Sequence, residues 1–202
     1  MKELILSLSF LILIAGPPQP PLAAEEAPRA PLDEALPGEV IFSFIRALPE
    51  AQAQRLKKGE KVRAWWTGKG FQFEDSSVAQ DGIFLTDNTP VGGKTRQAVS
   101  FRVAAGSETH LIFRKVPPGR RLRVTYALAD SAFGGKPPAF VHLEVAIGEK
   151  TAFKTQTNTK GWKSKTVDLV LPFLLHRPFA LTVKIRSADP QPQNVLLYGH
   201  IE

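Results

Sequence analysis

PFALTVKIRS, residues Pro178 to Ser187, alternates strictly: Phe179, Leu181, Val183 and Ile185 are large and apolar, and Ala180, Thr182, Lys184 and Arg186 stand between them. A period of two puts the four apolar side chains on one side of an extended strand, whereas a helix would scatter them around its circumference. AFVHLEVAIG, Ala139 to Gly148, repeats the pattern, with Val141, Leu143, Val145 and Ile147 alternating with His142, Glu144 and Ala146. Strands with one dry and one wet side belong to antiparallel sheets; parallel ones are covered on both faces.

The pattern spreads in both directions. Leu122, Val124, Tyr126 and Leu128 alternate with Arg121, Arg123, Thr125 and Ala127; Val99, Phe101 and Val103 share one side of AVSFRV; Val40, Phe42 and Phe44 share one side of an earlier strand. Shorter strands are expected at Ile83 to Thr86, His110 to Lys115, Ala152 to Lys154, Thr166 to Leu171 and Val195 to Ile201. Turn residues separate them: Pro117, Pro118 and Gly119; Gly134 and Gly135 before Pro137 and Pro138; Gly148; Lys160 and Gly161; Asp189 to Asn194. Many short strands at this spacing predict an all-β fold, an antiparallel β-sandwich. One short accessory helix is expected from Pro49 to Lys58, since proline suits a first turn, AQAQRLKK holds good helix formers and Gly59 can stop it. The polar, glycine-bearing stretch from Thr86 to Arg96 reads as a long loop.

The N-terminus follows a different rule. Lys2 precedes an apolar run from Leu4 to Ala15, too short for a bilayer span and suited to the apolar core of a signal peptide; Ala23 and Ala24 offer a cleavage point before Glu25. Residues 1–24 are therefore expected to be a signal peptide, 25–37 a flexible leader rich in Ala, Pro and acidic groups, and 38–202 a single β-sandwich domain. The expected location is outside the cytoplasm, periplasmic or extracellular, with no transmembrane segment in the mature chain. The absence of cysteine excludes disulfides, thiolate metal sites and a cysteine nucleophile. A formal charge of +7 and a pI near 9.8 favour anionic surroundings such as acidic glycans or lipid headgroups.

Several stretches together resemble the jelly-roll modules of the galactose-binding-like superfamily, in particular carbohydrate-binding modules of secreted glycosidases. They are DGIFL at Asp81 to Leu85, LIFRKVPPGRRLRVTYALAD at Leu111 to Asp130, AFVHLEVAIG, GWKSKTVDL at Gly161 to Leu169, PFALTVKIRS and the closing VLLYGHIE. Trp162 ahead of Val167, Asp168 and Leu169 matches the Trp that precedes a Val-Asp-Leu strand in such modules. The resemblance, over Asp81 to Glu202, implies an antiparallel β-sandwich of jelly-roll type with ligand loops at one end and commonly sugar binding, although members also bind lipid or protein or serve as structure.

Little in the sequence reads as catalytic. His110, His142, His176 and His200 are scattered, with no pair at metal-ligand spacing, and His142 reads as an ordinary surface histidine on a polar strand face. Ser107 lacks the strand-to-helix setting of a nucleophile elbow. Asp75, Asp81, Asp87 and Asp130 are the carboxylates that acid/base work or calcium would draw on, and turn capping accounts for them more simply. No cofactor is expected.

Residues with the chemistry of binding are easier to find. Trp65, Trp66 and Phe71 fall close together in RAWWTGKGFQF, and Trp162 follows a glycine in an expected loop; such rings stack on the C–H faces of sugars. Trp65 and Trp66 are adjacent, so a strand would turn them to opposite sides, at least one toward packing. Basic groups gather at Arg55, Lys57, Lys58, Lys61 and Arg63 and at Arg114, Lys115, Arg120, Arg121 and Arg123, as an anion-binding patch or a solvated face. Nucleic-acid signatures are missing. The expected site residues are Trp65, Trp66, Phe71, Trp162, Arg121 and Arg123, in a non-catalytic protein that recognises a carbohydrate or anionic cell-envelope polymer. The alternatives are an adaptor that binds an envelope or extracellular protein, and a hydrolase without a recognised motif.

Overall fold

A computed structural model describes residues 39–75, 82–134, 138–169, 177–188 and 192–202. The expected signal peptide and leader, Asp81, Gly135, Pro137, Val170, Leu171, His176 and the start of the turn at Asp189 lie outside the described residues.

The strands in chain order are β1 (Phe42–Ser43), β2 (Gln52–Lys57), β3 (Glu60–Trp66), β4 (Gly70–Phe73), β5 (Gly82–Thr86), β6 (Pro90–Val91), β7 (Lys94–Thr95) and β8 (Ala98–Val103). They continue as β9 (Ser107–Val116), β10 (Arg121–Leu128), β11 (Val141–Ile147), β12 (Lys150–Thr157), β13 (Lys163–Asp168), β14 (Phe179–Ser187) and β15 (Gln193–Ile201). All pair antiparallel. Sheet I runs β12-β11-β14-β9-β2-β3, and sheet II runs β3-β4-β5-β8-β15-β10-β13, with β1 alongside β15. β3 belongs to both: Glu60 to Arg63 pair with β2, and Ala64 to Trp66 pair with β4, so this strand turns the corner of the sandwich. The result is the antiparallel all-β sandwich that the alternation predicts, of the jelly-roll type that the resemblance implies.

The inward side chains of both sheets form one core, including Phe101 of β8, Val124 of β10, Leu143 of β11 and Val183 of β14. Each such side chain contributes about 1.5–3 kcal/mol by leaving water. Tyr126 of sheet II ties across the open side of the sandwich, its hydroxyl 3.1 Å from Thr155 Oγ1 of β12.

The accessory helix is present but lies elsewhere. It is one turn, α1 (Phe44–Ala47), followed by a 3-10 turn over Leu48–Glu50. Phe44, expected on a strand, is its buried residue and stacks on Phe113 with ring centroids 5.1 Å apart. A methyl on Gly199 would lie 2.5 Å from the Phe44 ring, which is why β15 carries glycine there.

The stretch expected to be helical is the strand β2, hydrogen-bonded to β9 on one side and β3 on the other. Helix preference is worth only tenths of a kcal/mol per residue, and two complete ladders outweigh it. Lys58 and Gly59 have φ of 51° and 86° and make the tight β2–β3 turn, so Gly59 closes a hairpin rather than a helix. Arg55 points inward and is 1 % exposed; its guanidinium lies 4.0 Å from the Phe73 ring centroid and 3.1 Å from Asp75 Oδ1. The expected loop from Thr86 to Arg96 contains the small β6–β7 hairpin. Among the described residues no helix is long and apolar enough to cross a membrane.

Candidate functional site

Fixed register in sheet I lines up the outward side chains of successive strands. One row crosses six strands as Arg63, Gln54, His110, Lys184, Glu144 and Lys154. At the usual strand spacing it is roughly 24 Å long. A second row beside it holds Glu108, Arg186, His142 and Gln156.

Glu144 is the electrostatic centre of this face. Lys184 Nζ and Lys154 Nζ each donate to its carboxylate at 2.9 Å, and Thr151 Oγ1 donates at 3.2 Å. The hydrogen bonds from Lys184 and then Lys154 outweigh desolvation and hold its pKa down, from 4.5 to about 2. Gln54 Nε2 donates to His110 Nδ1 at 3.1 Å, which leaves Nε2 as the protonated nitrogen that donates to Glu108.

Two hollows lie on this face. One of about 390 Å³ is lined by Glu108, His142, Glu144, Lys154, Lys184 and Arg186, among others. The other, about 600 Å³, opens between β2 and β3, with Gln52, Gln54, Lys61 and Arg63 at its rim and the core-side residues Val62 and Phe71 deeper in its lining.

Trp65 lies two residues beyond Arg63, the β3 end of the first row, where β3 has passed from β2 to β4. Alternation along β3 puts it on the same side as Lys61 and Arg63, and it is 46 % exposed. Its cross-strand partner is Gln72, whose own partner is Gly82. Phe84 lies over this glycine and over Gly70: a methyl on Gly70 would meet the Phe84 ring at 2.6 Å, and one on Gly82 would meet it at 3.0 Å. Trp65, Gln72 and Phe84 thus share one outward surface at the corner where β3 leaves sheet I.

The other expected site residues go elsewhere. Trp66 turns inward, half-buried against the core, with its ring edge-on to Phe71 at 5.2 Å. Phe71 is buried and packs the sandwich, and it also lines the floor of the 600 Å³ hollow. Trp162 is half-buried on the far side of sheet II, over a small second core of Val91, Ala98, Ala127 and Leu196. The Arg96 guanidinium is 6.0 Å from its ring centroid, and its indole N–H is buried without a hydrogen-bond partner. Arg121 Nε is 3.0 Å from Glu202 Oε1, and Arg123 lies opposite His200 on β15. Trp65 and Trp162 are on opposite ends of sheet II, on β3 and beside β13, so the six residues do not make one site.

The sequence reading missed the two polar rows. Their signal is the outward half of each alternating strand, Lys184 and Arg186 on β14 and His142 and Glu144 on β11. Register is what joins them, and no short stretch of sequence carries it.

Three groups singled out for catalytic potential are engaged in structural contacts. Ser107 is buried and donates its hydroxyl proton to the Ala104 carbonyl at 2.7 Å. Asp130 accepts the backbone N–H groups of Gly92 at 2.9 Å and Gly93 at 3.4 Å, pinning the β6–β7 hairpin. Asp75 pairs with Arg55 and Lys57. Among the described residues no group of three or more His, Asp or Glu side chains is placed to hold a metal ion.

No family model matches the chain, and no curated protein is similar to it in sequence. Among solved structures, a cleaved adhesin domain of Lys-gingipain from Porphyromonas gingivalis aligns over 75 % of this chain and 97 % of its own, at 12 % identity and a TM-score of 0.44. The CBM51 of Clostridium perfringens GH95, in complex with methyl-galactose, aligns over 64 % and 94 % at 10 % identity and 0.42. The carbohydrate-binding module CBM36, in complex with calcium and xylotriose, aligns over 59 % and 98 % at 11 % identity and 0.36.

Proposed function

We propose that the chain is an exported, non-catalytic binding protein, a single sandwich over 38–202 behind a signal peptide and leader, that recognises a carbohydrate or anionic cell-envelope polymer. Binding runs along the outward side of β3 and across sheet I. The observation that carries this reading is the placement of Trp65: an exposed indole on one side of a strand with Lys61 and Arg63, two residues beyond the β3 end of a row of amide, imidazole, ammonium and carboxylate groups. An indole offers a flat apolar surface to the C–H face of a sugar ring, and the row offers donors and acceptors for hydroxyl or acidic substituents.

Partner binding by strand addition is opposed by the composition of the outermost strands among the described residues, since β12 carries Lys150 and Lys154 and β13 carries Lys163 and Lys165. Lysines on an edge discourage pairing with another chain.

The test is tryptophan emission and affinity electrophoresis of the full chain against neutral and acidic polysaccharides. A saturable change in emission that is lost in Trp65→Ala and kept in Trp162→Ala is expected. Absence of any retardation or emission change across the panel would overturn the reading.

A further inference from the structure

Glu108 on β9 and Arg186 on β14 are direct cross-strand partners, the arrangement in which opposite charges normally pair. Here they do not. Glu108 turns along its own strand to accept from His110, which Gln54 holds from the other side. On the other flank of Arg186 the cross-strand partner is His142, exposed on β11. Among the described residues the side chain of neither Arg186 nor His142 has a hydrogen-bond or ion-pair partner, although both line the 390 Å³ hollow. Lys154 and Lys184 line it too, so the cations Lys154, Lys184 and Arg186 face the carboxylates Glu144 and Glu108, and one positive charge is left in excess. The hollow therefore presents a guanidinium fork, an imidazole and a net excess of one positive charge to solvent.

We propose that this hollow is an oxyanion subsite, in which Arg186 takes a carboxylate or sulfate of the bound polymer through paired N–H groups and His142 supplies a further polar contact. A planar guanidinium matches two oxygens of one anionic group, which a lysine cannot do. The Gln54–His110–Glu108 chain acts as a positioning device that keeps the neighbouring carboxylate from occupying the fork. The inference rests on the polymer reading above and deepens it, because it makes acidity of the glycan a requirement and places the acidic group some strands away from the ring stacked on Trp65.

The experiment uses the full chain with dextran, dextran sulfate and alginate, which separate a neutral backbone from its sulfated form and from a uronate polymer. At low salt one or both acidic polymers bind and dextran binds at least about tenfold more weakly; whichever acidic polymer binds tighter identifies the oxyanion. Arg186→Gln weakens acidic-polymer binding about tenfold, and Arg186→Lys, which keeps the charge and loses the fork, recovers only part of it. Both variants keep the wild-type unfolding temperature, because the side chain is exposed. If Arg186→Gln binds acidic polymers like wild type while Trp65→Ala does not, the subsite is wrong and the polymer reading stands. If no polymer binds, that reading falls, and sodium glucuronate and sodium sulfate titrated against the His142 ring resonances decide the subsite alone: saturable shifts that disappear in Arg186→Gln support it, and their absence overturns it.

Discussion

The outer faces of the two sheets obey the same alternation and end in opposite states. On sheet II the outward residues Ala98, Ala127 and Leu196 are buried beneath Val91 of the β6–β7 hairpin and the ring of Trp162, and even Thr125 and His200 are almost fully buried. On sheet I the outward residues Lys184, Glu144, Arg186 and His142 remain in contact with water, and ion pairs and hydrogen bonds organise them. The difference follows the chemistry of the outward positions. Small and apolar groups gain by being covered, so loops fold over them; charged groups would lose hydration they could not replace, so the face stays open. An open, organised polar face is available to a ligand, and a covered one is part of the core.

Substitutions that test this contrast should differ most on the covered side. Leu196→Ala empties the centre of the second core and is expected to lower stability by about 3 kcal/mol in urea unfolding. A loss below about 1 kcal/mol would mean that the hairpin lies loosely over sheet II, and the contrast between the faces would fail. Next in size comes a pair of equal chemical changes at unequal sites. Trp162→Ala should cost about 2 kcal/mol, because half of its ring is packed, whereas Trp65→Ala should cost less than about 0.5 kcal/mol and act on binding instead. Equal costs would make Trp65 a packing residue and remove it from the candidate site.

Both faces are legible in part. The strands around Val183, Leu143 and Val124 follow from period two alone, and the adjacency of Trp65 and Trp66 forces one ring outward. Three features are not legible. Gln52–Lys57 has the composition of a helix and becomes a strand because β9 and β3 complete its hydrogen bonds from sequence distances that a local reading does not span. Trp162 does lie in a loop, as its glycine neighbour suggests, but the small outward residues it covers lie on three different strands, so its half-burial depends on tertiary contact. The Arg186 hollow requires the register of β9, β14, β11 and β12 together, which is a property of the assembled sheet.

Acid separates the faces as well. Because Glu144 has its pKa depressed from 4.5 to about 2 in the folded chain, its contribution to stability is complete above pH 4.5 and is lost as the pH falls from there through about 2. Screening at a partly exposed site limits this to about 1 kcal/mol. Glu144→Gln should lower stability by that amount above pH 4.5 and have no effect near pH 2, as read from urea midpoints. A difference that persists at the acid end would point to lost packing of Lys154 and Lys184 rather than lost charge pairing.

The smallest effect belongs to sheet II and has a different window. Burial lowers the pKa of His200 below its ordinary 6.5, with Glu202 opposing the shift and Arg123 adding to it. The unfolded chain therefore binds a proton that the folded chain resists, so stability is full above pH 6.5 and declines as the pH drops below it. The groups that meet the imidazole are Tyr198 on its own strand, with ring centroids 5.5 Å away, Glu202 Oε2 at 4.0 Å and Arg123 across the ladder. Its Nδ1 is buried without a hydrogen-bond partner, so an apolar replacement leaves nothing unsatisfied there. His200→Leu should flatten the decline between pH 6.5 and 4.5 and leave the steeper fall of the Glu144 window in place. If it instead moved the lower window, the two faces would be electrostatically coupled through the core, and their separation into a covered wall and an open one would no longer hold.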